Sequence, residues 1–177
     1  MKRNRIIVLL VFLIVGIALI PASQLIKDEH ILAATTFFSI AVATLVGSIL
    51  DSKSNPFIRY SLIGIAIAYL ALGFVGLFSN KEVLEIAIYC MILGIADIIK
   101  GLVKTIEAFI MLKEKNKMCI LFFIDSIVEI TIGILMCIEV NEALKLHVIL
   151  ISVDMMFEGI IKFANEYVEE RMEQKQV

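Results

Sequence analysis

Six long apolar runs, separated by short polar connectors, make up most of the chain. Most of them are close to the ~20 residues that an α-helix needs to cross ~30 Å of hydrocarbon at a rise of ~1.5 Å per residue. The pattern therefore predicts an all-α, polytopic membrane protein with six transmembrane helices. The predicted spans are residues 6–26, 31–50, 57–78, 83–112, 118–138 and 143–164.

Composition agrees with a lipid environment. Hydrophobic residues form 60% of the 177-residue chain, against roughly 45–50% in an average soluble domain. A soluble core of this size would leave much of that apolar surface in water, whereas lipid solvates it. The expected partners are the lipid bilayer and either a second copy of the chain or another membrane protein. The formal net charge of −2 gives no reason to expect nucleic acid.

The distribution of lysine and arginine predicts the orientation of the helices. With connectors on alternate sides, 13 of the 16 Lys and Arg residues fall on one side, and only Lys27, Lys81 and Lys145 fall on the other. Cytoplasmic segments of membrane proteins carry the excess of positive charge. Both termini are therefore expected in the cytosol.

Glycine positions indicate an internal repeat. Gly16, Gly73 and Gly133 lie late in the odd-numbered spans, at intervals of 57 and 60 residues. A second series lies in the even-numbered spans at intervals of 54 and 58 residues and consists of Gly47, Gly101 and Gly159. Each unit is then a helical hairpin that enters from the cytosol. Three units of like orientation predict pseudo-threefold packing about an axis along the membrane normal.

These units are expected to form one membrane domain over residues 1–177. The hairpins comprise residues 6–50, 57–112 and 118–164, and a cytosolic tail follows over residues 165–177. The connectors between the spans are too short to hold a soluble domain.

Small residues at regular spacing predict where the helices pack. In the fourth span, small residues recur every seventh position from Ala87 to Ala108, which forms a seam where a neighbouring backbone approaches closely. We interpret the glycines as packing positions, and a flexible hinge for gating is the alternative. The predicted packing glycines are Gly16, Gly47, Gly73, Gly94, Gly101, Gly133 and Gly159.

Two segments resemble the HdeD family of bacterial inner-membrane proteins. One is Ile14-Val-Gly-Ile-Ala-Leu-Ile-Pro21, a glycine-containing helix that ends in proline before a tight extracytoplasmic turn. The other is the paired-glycine helix Leu93-Gly-Ile-Ala-Asp-Ile-Ile-Lys-Gly-Leu102, which has weaker counterparts in the second and sixth spans. That family consists of short repeated hairpins and is associated with acid resistance. The resemblance implies a bacterial cytoplasmic membrane location and a role in acid or envelope stress.

Ionisable residues inside the last three spans are the most informative polar positions. They are spaced three or four apart, so that each span carries its charges on one stripe. Their depths agree, which predicts one interhelical cluster that opens towards the cytosol. The predicted cluster contains Asp97, Lys100, Lys104, Asp125, Glu129, Asp154, Glu158 and Lys162.

Insertion energies indicate that these charges face protein or water. A charge at the centre of a span costs about 2.5–3.5 kcal/mol, whereas each Leu, Ile, Phe or Val contributes roughly 0.3–0.6 kcal/mol of stabilisation. The fifth span, with Asp125 and Glu129, is therefore near break-even when it inserts alone. Lipid exposure of its acids is disfavoured.

Three interpretations of the cluster remain open at this stage. It is an interhelical salt-bridge network that fixes helix register, or a polar site for protons, cations or a small solute. Five acids face three lysines, so some carboxyl is expected to keep its proton. In the third interpretation, Lys104 and Lys162 extend to the membrane interface, which leaves the acids unexplained.

The sequence gives little support for a catalytic function. Its sequence contains no nucleophile–base arrangement, phosphate-binding glycine loop or paired metal-ligand motif. Cys90, Cys119 and Cys137 form no CxxC pair and are expected to fill apolar space. His30 and His147 lie near the extracytoplasmic side without a ligand set, so neither a metal nor a cofactor is expected.

Two functions follow as hypotheses. The first is a non-enzymatic integral membrane protein for acid or envelope stress tolerance, which depends partly on the family resemblance. The alternative is a small transporter or channel whose cytosol-facing carboxylate–lysine site is coupled to protons or cations.

Overall fold

The computed structural model describes residues 2–51, 55–78, 86–138 and 144–174. These residues form six α-helices, which confirms the predicted all-α class. The helices are α1 (Lys2–Leu25), α2 (Glu29–Leu50), α3 (Pro56–Phe78), α4 (Ile86–Lys113), α5 (Cys119–Ile138) and α6 (Leu144–Gln174). Their apolar stretches coincide with the predicted spans to within a few residues at most ends.

The first helix contains a proline and ends within one residue of the predicted end of its span at residue 26. Pro21 lies inside α1, which continues to Leu25. A proline removes one backbone donor, yet the following turn still closes, because the Ile26 N–H donates to the Ala22 carbonyl at 2.9 Å. The last helix is also longer than its apolar span, because the polar residues beyond residue 164 are mostly good helix formers.

Side chains of the connectors cap three of the helices. Asp28 precedes α2 and accepts hydrogen bonds from the backbone N–H groups of His30 and Ile31. The Asn55 side chain accepts a hydrogen bond from the Phe57 N–H at 2.9 Å, at the start of α3. The Asn116 side chain accepts one from the Met118 N–H at 3.0 Å, just before α5. These acceptors satisfy N–H groups that have no partner within the helix, so the short connectors fix where each helix begins.

The helices form a closed ring in chain order. The most extensive interfaces are α4–α5, α2–α3 and α1–α6, and the smaller ones are α1–α2, α5–α6 and α3–α4. The helix α2 also contacts α4 and α6. The largest interfaces therefore join one predicted hairpin to the next, rather than the two helices within a hairpin.

All seven predicted packing glycines lie against another helix. The closest approach joins α4 to α5, where a Cβ added at Gly94 would lie 2.5 Å from the Gly133 carbonyl oxygen. A Cβ added at Gly133 would lie 2.6 Å from the Gly94 oxygen, so the two backbones touch reciprocally. In contrast, Gly64 of α3 faces open space. These contacts agree with a packing role, since lipid gives helices little apolar driving force to associate.

Apolar side chains cover the outside of the ring as well as its interior. Large hydrophobic residues such as Ile14, Phe57 and Ile120 are more than 60% exposed, which in water would form an extensive apolar surface. Four helices are long and apolar enough to cross a membrane: Asn4–Leu25, Glu29–Leu50, Pro56–Phe78 and Cys119–Ile138. The other two helices, α4 and α6, carry most of the charges described below.

Two separate apolar clusters fill the interior. The main core contains Phe12, Phe37 and Tyr69 together with residues from all the other helices. A smaller cluster, which we call the connector-side cluster, lies near the α4–α5 connector and consists of Ala108, Met111, Met118, Cys119, Phe122 and Ile161. The gap between the two clusters is where the charged residues meet.

Candidate functional site

The structure brings the eight predicted charged residues together between α4, α5 and α6. Seven of them are buried, with at most 6% of their surface exposed, and Lys162 is nearly so, with 11% of its side chain exposed. We call this group the charge network. It consists of Asp97, Lys100, Lys104, Asp125, Glu129, Asp154, Glu158 and Lys162.

Lys104 of α4 forms ion pairs with three acids of the network. Its Nζ lies 2.9 Å from Asp125 Oδ2, 3.1 Å from Glu129 Oε2 and 2.8 Å from Glu158 Oε2. Only 2% of the side chain is exposed. Lys104 therefore points into the bundle, and the interpretation in which it extends to the membrane interface is wrong.

Lys100 lies one turn earlier in α4 and bridges the other two helices. Its Nζ is 2.5 Å from Glu129 Oε1 of α5 and 2.9 Å from Glu158 Oε2 of α6. The spacing of four residues places both ammonium groups on one face of α4. Each of them consequently ties α4 to both α5 and α6.

Glu158 of α6 contacts all three lysines. In addition to Lys100 and Lys104, its Oε1 lies 2.8 Å from the Nζ of Lys162 in the next turn of the same helix. Lys162 also lies over the ring of Phe12 in α1, 5.1 Å from the ring centre, which adds a cation–π attraction. Glu158 is buried, and the three ammonium groups compensate its negative charge in place of water.

Asp97 has a partner that the sequence analysis did not identify. The hydroxyl of Tyr69 in α3 donates to Asp97 Oδ1 at 2.5 Å, and both side chains are buried. The first three spans contain no ionised residue at this depth, so they were expected to contribute nothing. The available signal was Tyr69 itself, a tyrosine near the middle of an apolar run, since a buried tyrosine hydroxyl generally finds a partner.

Asp154 forms no ion pair with the described lysines of the network. It is 6% exposed, and its Oδ1 has no hydrogen-bond partner among the residues that the structure describes. It faces a small cavity with room for about one water molecule. The cavity is lined by Ile40, Asp97, Lys100, Glu129, Ile132, Ile151, Asp154 and Met155.

Oxygen atoms of Glu129, Asp154 and Glu158 lie within 4.8 Å of one another, a spacing that one metal ion could bridge. However, the ammonium groups of Lys100 and Lys104 already contact Glu129 and Glu158. A metal cation there would have to displace or tolerate two positive charges. The donor set fits the lysines better than it fits a metal.

The network forms a layer between the two apolar clusters. Along α4, Leu93 belongs to the main core, the charges follow, and Ala108 belongs to the connector-side cluster. The order is reversed along α5, from Phe122 through the acids to Ile132. The predicted opening towards the cytosol is thus filled, in this conformation, by apolar side chains.

Comparison with protein-family models, curated proteins and solved structures gave no match.

Proposed function

We propose that this chain is an integral protein of the bacterial cytoplasmic membrane that crosses the bilayer six times, with both termini in the cytosol. The apolar exterior and the asymmetry of Lys and Arg support this topology. The charges of α4 and α6 are compatible with crossing because they face α5 and each other, where opposite charges offset part of the cost of leaving water.

The packing also supports the proposed threefold repeat. Large and small interfaces alternate around the ring, as three similar units would produce. Gly16, Gly73 and Gly133, the glycines at equivalent repeat positions, face α6, α2 and α4 respectively. Each therefore packs against the even-numbered helix of the preceding unit in the ring.

The function that the geometry supports best is a non-enzymatic role in acid or envelope stress tolerance. In this role the charge network is the group of residues that responds to acidification. The observation that carries this proposal is the burial of five acids around three lysines in the bundle interior. Ion pairs in such a place hold the helices in register only while the acids are ionised. Acidification that reaches the interior would weaken them, which gives the bundle a means of responding to pH.

Survival under acid provides the test of this proposal. Cells that lack the protein are complemented with the wild type, with Glu158→Gln or with Glu114→Gln, and are counted after an acid challenge. Glu158 contacts all three lysines, whereas Glu114 is exposed on the α4–α5 connector. We expect the wild type and Glu114→Gln to restore survival and Glu158→Gln to fail at equal membrane abundance. Equal survival with and without the wild type would contradict the proposal.

A small transporter or channel is the second candidate, and the cavity beside Asp154 favours it. The cavity lies beside Asp154, whose Oδ1 has no hydrogen-bond partner among the described residues, and it is also lined by Lys100 and Glu129. Under the proposed topology, the connector-side cluster separates the network from the cytosol, so transport requires these apolar side chains to move apart.

Measurement of proton flux into liposomes distinguishes a transporter or channel from a protein that does not transport protons. The wild type, Asp154→Asn and Asp28→Asn are reconstituted with a trapped pH-sensitive dye, and a pH gradient is imposed. Asp28 is a matched control because it caps α2, where asparagine serves equally well. A transporter predicts flux in the wild type and in Asp28→Asn, with loss in Asp154→Asn. A dye response equal to that of protein-free liposomes would exclude the transport of protons.

A further inference from the structure

The ion pairs divide the five acids of the charge network into two groups. Asp125, Glu129 and Glu158 each contact at least one lysine within 3.1 Å. Asp97 and Asp154 belong to no ion pair among the described residues. Five acids minus three lysines leaves two negative charges, and two acids are left without a lysine.

These two acids also share a location. Asp97 and Asp154 both line the small cavity, on α4 and α6 respectively, and they are 4% and 6% exposed. An ionised carboxylate without a cation beside it is costly to bury in such a place. A neutral carboxyl group avoids most of this cost.

We propose that Asp97 and Asp154 form a two-proton site, at which each side chain holds a proton at neutral pH. The network then contains three ammonium groups, three carboxylates and two carboxyl groups, so its net charge is zero. This inference rests on the proposed burial of the network in the membrane, and it deepens the proposed function. Asp97 and Asp154 already hold protons at neutral pH, so acidification would protonate the three paired acids, Asp125, Glu129 and Glu158.

Protons fit this cavity better than metal cations do. Half of the lining consists of the apolar residues Ile40, Ile132, Ile151 and Met155, which offer no oxygen ligands. The ammonium group of Lys100 lies on the same wall and would repel a metal ion. A proton needs no coordination shell, because it binds covalently to one carboxyl oxygen.

Every element around the cavity contributes to the environment of the two carboxyl groups. The helix α3 provides the Tyr69 hydroxyl, which can donate to Asp97 Oδ1 whether or not the other oxygen carries a proton. The helix α2 provides only the apolar Ile40 to the cavity wall. The other charged residues that line the cavity are Lys100 of α4 and Glu129 of α5. Lys104, Asp125 and Glu158 lie behind them in the ion pairs of the network.

Infrared spectroscopy of the full chain in lipid vesicles tests this inference, since a protonated carboxyl group has a C=O stretching band that an ionised one lacks. At neutral pH the wild type is expected to show this band, with a shift in heavy water. Asp97→Asn and Asp154→Asn should each remove one of two components, and the double variant should remove both. Asp28→Asn, outside the network, should keep the wild-type band.

Two outcomes would overturn the two-proton site. One is a wild type without the band at neutral pH, and the other is a double variant that keeps the band. If the band is absent and sodium, but not potassium, stabilises the wild type, the cavity is a sodium site instead. Recovery of the protein in floated vesicles checks membrane insertion independently. A failed acid-survival assay with an intact band would contradict the stress function and leave the proton site standing.

Discussion

At the scale of single residues, the network depends on contacts between side chains from different helices. Its predicted members could be identified from the sequence because charges spaced three or four apart share a helix face. Tyr69 and Phe12 could not, because aromatic residues are ordinary constituents of apolar spans. Their roles follow from which helix lies opposite, and the spacing along one helix does not contain that information.

Removal of the Tyr69 hydroxyl tests its bond to Asp97. The variant Tyr69→Phe keeps the buried ring, but it leaves the Asp97 oxygen without its donor. We expect a loss of about 1–3 kcal/mol in the free energy of unfolding, measured by denaturant titration in detergent micelles. Tyr60→Phe is the matched control, because Tyr60 lies on the same helix with 71% of its surface exposed. Equal stability of the two variants would show that the bond contributes nothing.

Loss of the Lys104 ammonium group is expected to lower the free energy of unfolding more than loss of the Tyr69 hydroxyl does. Lys104→Met keeps much of the side-chain volume but removes the ammonium group from Asp125, Glu129 and Glu158. Breaking a buried ion pair from one side typically destabilises by about 3–5 kcal/mol. The same denaturant titration should give near wild-type stability for Lys113→Met, which alters an exposed lysine at the end of α4. A Lys104→Met protein as stable as this control would contradict the buried network.

At the scale of helices, the apolar runs predicted the number of elements and most of their ends. The end of α1 agrees with the predicted span to within one residue, although Pro21 lies inside the helix and removes one backbone donor. The relative sizes of the helix interfaces could not be predicted from the sequence. Glycine intervals indicated which helices are equivalent, but they do not show that α1 packs more extensively against α6 than against α2.

The contact between Gly94 and Gly133 is the feature of helix packing that is most sensitive to substitution. In Gly133→Ala, the new Cβ would lie 2.6 Å from the Gly94 oxygen, so α4 and α5 have to separate. We expect destabilisation of about 1–3 kcal/mol, as for overpacked cores, measured by thermal unfolding. Gly64→Ala provides the control, because a Cβ there meets nothing within 4 Å and alanine favours the helix by about 1 kcal/mol. Similar unfolding temperatures for both variants would refute the close contact.

At the scale of the whole molecule, a charged layer lies between two apolar clusters inside an apolar exterior. The account requires α4 and α6 to cross the membrane in spite of their charges. Among the described residues, four helices qualify by length and composition alone, so the six-span topology depends on whether α4 and α6 also cross. A chain that crossed only through those four helices would place the α4–α5 connector on the opposite side of the membrane from the six-span topology.

Accessibility of a cysteine at position 114 therefore tests the central claim most directly. Single cysteines are introduced as Lys27→Cys and Glu114→Cys, both at exposed positions, in a chain whose Cys90, Cys119 and Cys137 are replaced by alanine. A thiol reagent that does not cross membranes is then applied to intact and to permeabilised cells. The six-span topology predicts labelling of Lys27→Cys in intact cells and of Glu114→Cys only after permeabilisation. Labelling of Glu114→Cys in intact cells would contradict it.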